Sequence, residues 1–198
     1  MAARIHQLLD RWLAQAPDRP FIHLPDGRSL SFADLGALTD AAEAELRQLG
    51  VRAGDRVLVV AENCPEHAAL ILAASRVGAW SCGVNARMAP GEVDAFAAKA
   101  DARLLYFTAS GSRAAAGHAR RHAGVASVLP GMQHGAVREQ ATVEPPPLQD
   151  DVAALIFTSG TTGDPKGVMV THEGLIHFAR ISAQSRALGP RDRSYAFV

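Results

Sequence analysis

Apolar residues change their spacing twice within the first fifty positions. Leu8, Leu9, Trp12 and Leu13 recur on one helical face, and that helix is expected to stop before Pro17, because the residue preceding a proline is pushed out of helical angles. Phe21 to Leu24 then reads as extended, Asp26-Gly27 as a turn and Ser29 to Phe32 as the return arm of a small hairpin. From Ala33 to Leu49 the spacing is helical again, with Leu35, Leu38, Leu46 and Leu49 as the inward stripe and Gly50 as the C-terminal stop.

The following stretch alternates more regularly. Arg56 to Ala61 is a β-branched strand, Glu66 to Val77 a helix closed by Gly78, and Ala79 to Val84 a second strand. Pro90 sits where a first helical turn tolerates it, the helix runs to Ala100, and Arg103 to Thr108 is a third strand. Strand and helix in alternation with brief connections imply parallel strands joined by right-handed crossovers, so the predicted fold is α/β, a three-layer sandwich with a mainly parallel sheet. Gly111 to Gly124 adds a helix and Val125 to Leu129 a strand, whereas 130–150, polar and carrying Pro145-Pro146-Pro147, is expected to be an exposed loop. Val152 to Phe157 and Gly167 to Val170 read as two more strands, followed by a helix from Thr171 or His172 that carries Leu175, Ile176, Phe178, Ala179 and Ile181. The chain closes on Ser194 to Val198 with no polar tail, which reads as a severed strand whose open edge favours self-association.

Composition narrows the class. With 48% hydrophobic and 20% charged residues the chain is globular rather than disordered, and 20 basic against 20 acidic residues leave no basic face for nucleic acid. No apolar run reaches the length of a membrane span, and the first helix is interrupted by Arg, His, Asp and Gln, unlike a secretory signal. Cys64 and Cys82 are too few for a disulfide framework and lack zinc-site spacing, so both read as reduced, packed residues and no metal site is expected. A cytoplasmic enzyme fits these traits.

The candidate chemistry lies between the last two strands. TSGTTGDPKG, Thr158 to Gly167, offers four hydroxyls, three glycines and Lys166, one of only two lysines in the chain. Glycines let backbone amides approach an oxyanion, hydroxyls donate to phosphate oxygens, and the ammonium adds a mobile positive charge. A Walker A loop would need its Lys and Ser or Thr directly after a glycine four residues beyond the first; here Pro165 occupies that place and Lys166 precedes Gly167. The Walker loop also opens a helix, whereas this one joins two strands. A plain surface turn uses the same residue types, but four hydroxyls and a scarce lysine between two apolar strands exceed what turn chemistry requires.

IFTSGTTGDPKGVMVTH closely resembles the signature of the adenylate-forming superfamily, which includes acyl-CoA synthetases, peptide-synthetase adenylation domains and luciferases. Leu30 to Leu35, Gly54 to Val57, Asn63 to Glu66 and Gly78 to Asn85 are similar to the opening of that family, with Gly83 and Ala86 standing where prolines are common around Asn85. The resemblance implies that residues 1–198 are the N-terminal part of a large AMP-binding domain, an incomplete acyl-CoA synthetase-like fold. It implies ATP-dependent formation of an acyl-adenylate from a small carboxylic acid, with transfer to coenzyme A and help from Mg2+. Thr158, Ser159, Gly160, Thr161, Thr162, Gly163 and Lys166 would hold the β- and γ-phosphates, and Gly167 would shape the exit. No residue of this stretch acts as nucleophile or base, and the fragment by itself is expected to be inactive. A peptide-synthetase adenylation domain and a truncated, non-catalytic binding module are the alternatives. Fatty, aromatic and short dicarboxylic acids all remain open as substrates.

Other residues carry less. His172 reads equally as an active-site neighbour or as a helix-start residue without a ligand. His118, Arg120, Arg121 and His122 are expected on a solvated helix face. Trp12 and Trp80 are expected to be buried, Cys64 to be structural, and Asp164 to serve the turn before Pro165.

Overall fold

The computed structural model describes residues 3–158, 166–189 and 191–195. The expected strand ending at Val198 falls largely outside them, as do Ser159 to Pro165 of the glycine-rich loop. The chain opens with α1 (His6–Gln15), the antiparallel pair β1 (Pro20–His23) and β2 (Ser29–Ser31), and α2 (Phe32–Gln48). Phe32 begins the helix instead of ending the hairpin. A reciprocal cap takes it there: Ser31 Oγ accepts from the Asp34 amide at 3.1 Å, while the Asp34 carboxylate accepts from the Ser31 amide at 2.8 Å. The Phe32 ring then stacks between Trp12, at 5.2 Å, and Phe21, at 4.5 Å.

The next elements are β3 (Arg56–Ala61), α3 (Pro65–Val77), β4 (Trp80–Asn85), α4 (Pro90–Lys99), β5 (Leu104–Phe107) and α5 (Arg113–Arg121). They are followed by β6 (Val125–Ala126), β7 (Gln133–His134), α6 (Leu148–Asp151), β8 (Val152–Thr158), β9 (Lys166–Thr171) and α7 (His172–Ser185). One sheet collects seven strands in the order β6-β7-β5-β3-β4-β8-β9, parallel from β5 through β8 and antiparallel at both flanks. The alternation of β3 sorts the core. Val57 and Val59 face α2 and α3 with Leu46, Leu70 and Ala73, whereas Leu58 and Val60 face α4 and α5 with Val93, Phe96 and Ala119. This is the expected three-layer α/β architecture.

Side-chain capture of a backbone donor accounts for two departures, the shortened strand at Val125 and the shorter α5. The strand expected over Val125 to Leu129 is cut to β6, because buried Glu45 accepts from the Val128 amide at 2.8 Å and from Ser127 Oγ at 2.6 Å. The same carboxylate accepts from the Tyr106 hydroxyl at 2.8 Å, tying α2 to β5 and to the β6 turn at once. The stretch 130–150 is exposed over much of its length yet fastened to the sheet: it contains β7 and α6, buries Met132 and Ala141, and donates from Arg138 and Glu144 amides to the carbonyls of Arg103 and Gly54. α5 is shorter than predicted, starting where Ser112 Oγ caps the Ala115 amide at 3.2 Å.

The β8–β9 ribbon is covered incompletely: Ile156, Val168 and Met169 are each about half exposed, and Phe178 on α7 is 68% exposed. No helix among the described residues is long and apolar enough to cross a membrane.

Gly54 adopts φ +80°, and a Cβ there would lie 2.6 Å from the Glu144 carbonyl oxygen. Gly54→Ala therefore combines left-handed strain with a backbone clash and is expected to cost on the order of 2–3 kcal/mol, read as a lower urea midpoint at unchanged slope. An unaltered midpoint would show that the 144 segment does not press on Gly54.

Candidate functional site

Parallel pairing brings the carboxyl ends of β3, β4, β5 and β8 to one end of the sheet. β3 leads through α3 to β4 on one side, and β4 leads back through α4 to β5 on the other, so the helices diverge onto opposite faces. Open α/β sheets bind ligands in the crevice such a reversal leaves at the carboxyl ends. The glycine-rich loop leaves the sheet at this end.

Thr158 ends β8 and Lys166 starts β9, paired across the ribbon with the Thr158 hydroxyl 3.5 Å from the Lys166 carbonyl oxygen. Both residues and Gly167 are solvent-exposed. The expected binding residues Ser159, Gly160, Thr161, Thr162 and Gly163, with Asp164 of the turn, lie outside the described residues. What the structure does give is the loop's frame: two hydrogen-bonded strand ends, the first parallel to the central strands. At Gly167 a Cβ would meet the Leu155 side chain at 3.0 Å, so a larger residue would crowd the strand below the loop.

A polar cluster that the sequence reading missed borders the same end. The Arg87 guanidinium donates through Nε and Nη2 to the two Glu62 oxygens at 3.2 and 3.0 Å, and Ser112 Oγ donates to Glu62 at 3.2 Å. The Glu62 amide donates to Thr108 Oγ1 at 3.1 Å, and Asn85 Oδ1 accepts from the Arg87 amide at 2.8 Å. Hydrogen bonding from Arg87 holds the Glu62 carboxyl below its ordinary range. The available signal was positional, since Glu62 follows β3 directly, Thr108 follows β5 and Arg87 comes two residues after β4.

The structure corrects the expectation for one histidine and decides between the two readings of another. His118, expected on a solvated face, is buried, and its Nε2 lies 3.1 Å from the carbonyl oxygens of both Ala86 and Met88. Facing two acceptors, that nitrogen carries the proton, and the ring braces the loop after β4. Arg120 and Arg121 remain exposed. His172 follows the far end of β9, level with Val152 at the start of β8 and about 17 Å along the strand from Lys166. It is 3% exposed, and its Nδ1 accepts from the Ile5 amide at 3.4 Å. Of the two readings of His172, the structural one fits. Burial, with Arg4 and His6 nearby, lowers its pKa to about 4.

Trp80 is buried, and Trp12 stacks on Phe32 under the guanidinium of Arg19. Among the described residues no cluster of His, Cys, Asp and Glu is arranged to hold a metal ion.

The sequence model of the AMP-binding enzyme family matches residues 9–198. The chain is 32% identical over 194 residues to a sulfoacetate–CoA ligase of Cupriavidus necator, covering 92% of this chain and 38% of that one. It is 34% identical over 172 residues to 4-coumarate–CoA ligase 3 of Oryza sativa subsp. japonica, covering 83% and 31%. A 3-hydroxybenzoate–CoA/4-hydroxybenzoate–CoA ligase of Thauera aromatica is 31% identical over 201 residues, covering 96% and 38%. Among solved structures, ATP-bound MatB from Rhodopseudomonas palustris superposes with a TM-score of 0.70 at 27% identity, over 93% of this chain and 38% of that one. The chain thus spans about a third of the length of these relatives.

Cys64 caps α3, a place that can activate a thiol, but burial raises its pKa to about 11, and that of Cys82 to about 12. Iodoacetamide should therefore label neither cysteine appreciably at pH 8 in the folded chain and both rapidly in urea. Fast labelling of folded Cys64 would contradict its assignment as structural.

Proposed function

This chain belongs to the AMP-binding enzyme family, and from that premise we propose that the protein it represents is an acyl-CoA synthetase, activating a small carboxylic acid with ATP. In the first step the acid's carboxylate attacks the α-phosphorus, forming the acyl-adenylate and releasing pyrophosphate. In the second step the coenzyme A thiol attacks the acyl carbon, and AMP departs with the bonding pair.

The observation that carries the reading is the ribbon itself. A hydroxyl- and glycine-rich loop with a lysine is held between two paired strand ends, at the carboxyl end of a parallel sheet. Thr158, Ser159, Gly160, Thr161, Thr162, Gly163 and Lys166 are assigned to the β- and γ-phosphates, and Gly167 to the turn into β9. Their contribution is positioning and charge stabilisation of departing pyrophosphate, with no proton transfer. When bound, Mg2+ would neutralise phosphate charge; none of the described residues is assigned to it. Residues 1–198 are assigned to the N-terminal part of the AMP-binding domain, with 130–150 as its surface connection. Relatives named for aromatic acids and for sulfoacetate favour testing those two classes of acid first. Unpaired Cys64 and Cys82 suit a cytoplasmic setting.

Lys166→Ala removes a charge-assisted contact and is expected to weaken ATP or pyrophosphate binding by about 10- to 100-fold in calorimetry, in line with roughly 1.5–3 kcal/mol for such a bond. Binding indifferent to that change, or no binding at all, would sink the loop assignment. Spanning about a third of its relatives, the chain alone should show no ATP–pyrophosphate exchange with any acid. Robust exchange would place the whole catalytic apparatus within 198 residues.

Among the described residues β9 is the outermost strand of the sheet, and this position and the half-exposed apolar residues beside it also support weak self-association of this chain. Sedimentation velocity should show a concentration-dependent monomer–dimer shift at tens to hundreds of micromolar (an order-of-magnitude range for a small apolar patch). A strictly monomeric chain throughout would remove self-association from the proposal.

A further inference from the structure

The N-terminal segment is attached to the fold largely apart from the main core. Leu9 of α1 packs with Phe32, Leu35 and Ala69, and Trp12 and Leu13 join them, in a cluster separate from the two that sandwich the sheet. Besides the buried Ile5 side chain, the remaining ties of the segment are polar. Arg4 pairs with Asp150 at 2.6 Å and donates from Nη1 to the Ser75 carbonyl oxygen at 3.5 Å, His6 Nδ1 lies 2.9 Å from Ser75 Oγ, and Asp10 pairs with Arg76 at 3.0 Å. Finally, the Ile5 amide donates to Nδ1 of His172 at 3.4 Å.

These ties differ in how they respond to a proton. A backbone amide is only a donor, so the contact from Ile5 requires Nδ1 to be bare. An imidazolium would set N–H against N–H inside a buried contact. A hydroxyl is both donor and acceptor, so Ser75 retains His6 in either protonation state. The two ion pairs and the Arg4 contact to the Ser75 carbonyl do not depend on a bare imidazole nitrogen. Of these five polar ties, the contact from Ile5 is therefore the one converted from attraction to repulsion by a single proton.

We propose that His172 is an acid-released latch: its neutral ring holds segment 3–15 against the first turn of α7, and its protonation frees that segment before the sheet opens. The charged and titratable groups around it are Arg4 and His6 from the N-terminal segment, Asp150 and Asp151 from α6, and Glu173, His177 and Arg180 from α7. Burial acts most strongly to keep the ring neutral; Arg4 and His6 add to it, and Asp151 opposes them. The folded pKa, about 4, lies below the ordinary imidazole value of 6.5. The latch's contribution is thus complete above the unfolded pKa and is lost as pH falls toward the folded one. This inference does not depend on the phosphate-loop reading.

The two tryptophans report on the two halves of the proposal, Trp12 lying on α1 and Trp80 on β4. In protein labelled with 5-fluorotryptophan, fluorine NMR from pH 7 to 3.5 should show the Trp12 resonance shifting while Trp80 holds its native position. The Trp12 midpoint should match that of the His172 ring followed by proton NMR in the same unmodified chain. His172→Asn, whose amide oxygen accepts at every pH, should abolish the separate Trp12 transition, whereas His6→Asn should retain it. Simultaneous shifts of both tryptophans, unequal midpoints for Trp12 and His172, or an unchanged Trp12 transition in folded His172→Asn would each overturn the latch.

Discussion

Val57, Leu58, Val59 and Val60 of β3 are at most 1% exposed, so water has to be kept from both faces of a single strand. One layer of helices cannot do this. The chain answers by sending α3 to one face and α4 to the other, and that divergence orders β5, β3 and β4 side by side. The reversal which buries β3 is also the topology at which open α/β sheets place a ligand crevice, at the carboxyl ends. Packing of the core and placement of the proposed site thus follow from one requirement.

The two ends of the parallel strands are used differently. At the amino end, buried charge is matched within the chain: Asp55 accepts from the Arg52 amide at 2.7 Å and lies 3.4 Å from Arg103, while Arg56 donates to the carbonyls of Ala100 and Gly54 at 2.7 and 2.8 Å. Segment 138–144 closes over these groups, leaving only Arg103 Nε and Nη1 among them buried without a hydrogen-bond partner. At the carboxyl end the polar side chains stand nearer to water, with Arg87, Thr158 and Lys166 all exposed. Buried, internally paired charge is concentrated at one end, and the residues proposed to hold phosphate lie at the other.

The alternation of strands and helices was legible because each element keeps a single period and is punctuated by Gly50, Gly78 or Pro90. Misreadings arose where a side chain from a distant element decided a local outcome. Glu45, some eighty residues away in sequence, shortens the strand at Val125. The carbonyls of Ala86 and Met88 draw His118 inward from a helix whose other basic residues face water. The glycine-rich loop was legible from composition, since its hydroxyls and lysine are contiguous. The Glu62, Arg87 and Ser112 cluster was not, because its members come together only when three strand ends are laid side by side.

The β8–β9 ribbon carries an ambiguity of register. Val168, Met169 and Val170 are consecutive, so a one-residue slip of β9 would exchange one apolar face for another instead of exposing a core. Its hydrophobic pattern leaves its alignment undecided. What remains to decide it is geometry: the irregular step between Val152 and Ala154 at one end, and the span of chain joining Thr158 to Lys166 at the other. The number of residues in that connection is accordingly under the same constraint as their identity, since a single insertion accommodated by slippage would carry the lysine to the opposite face of the sheet.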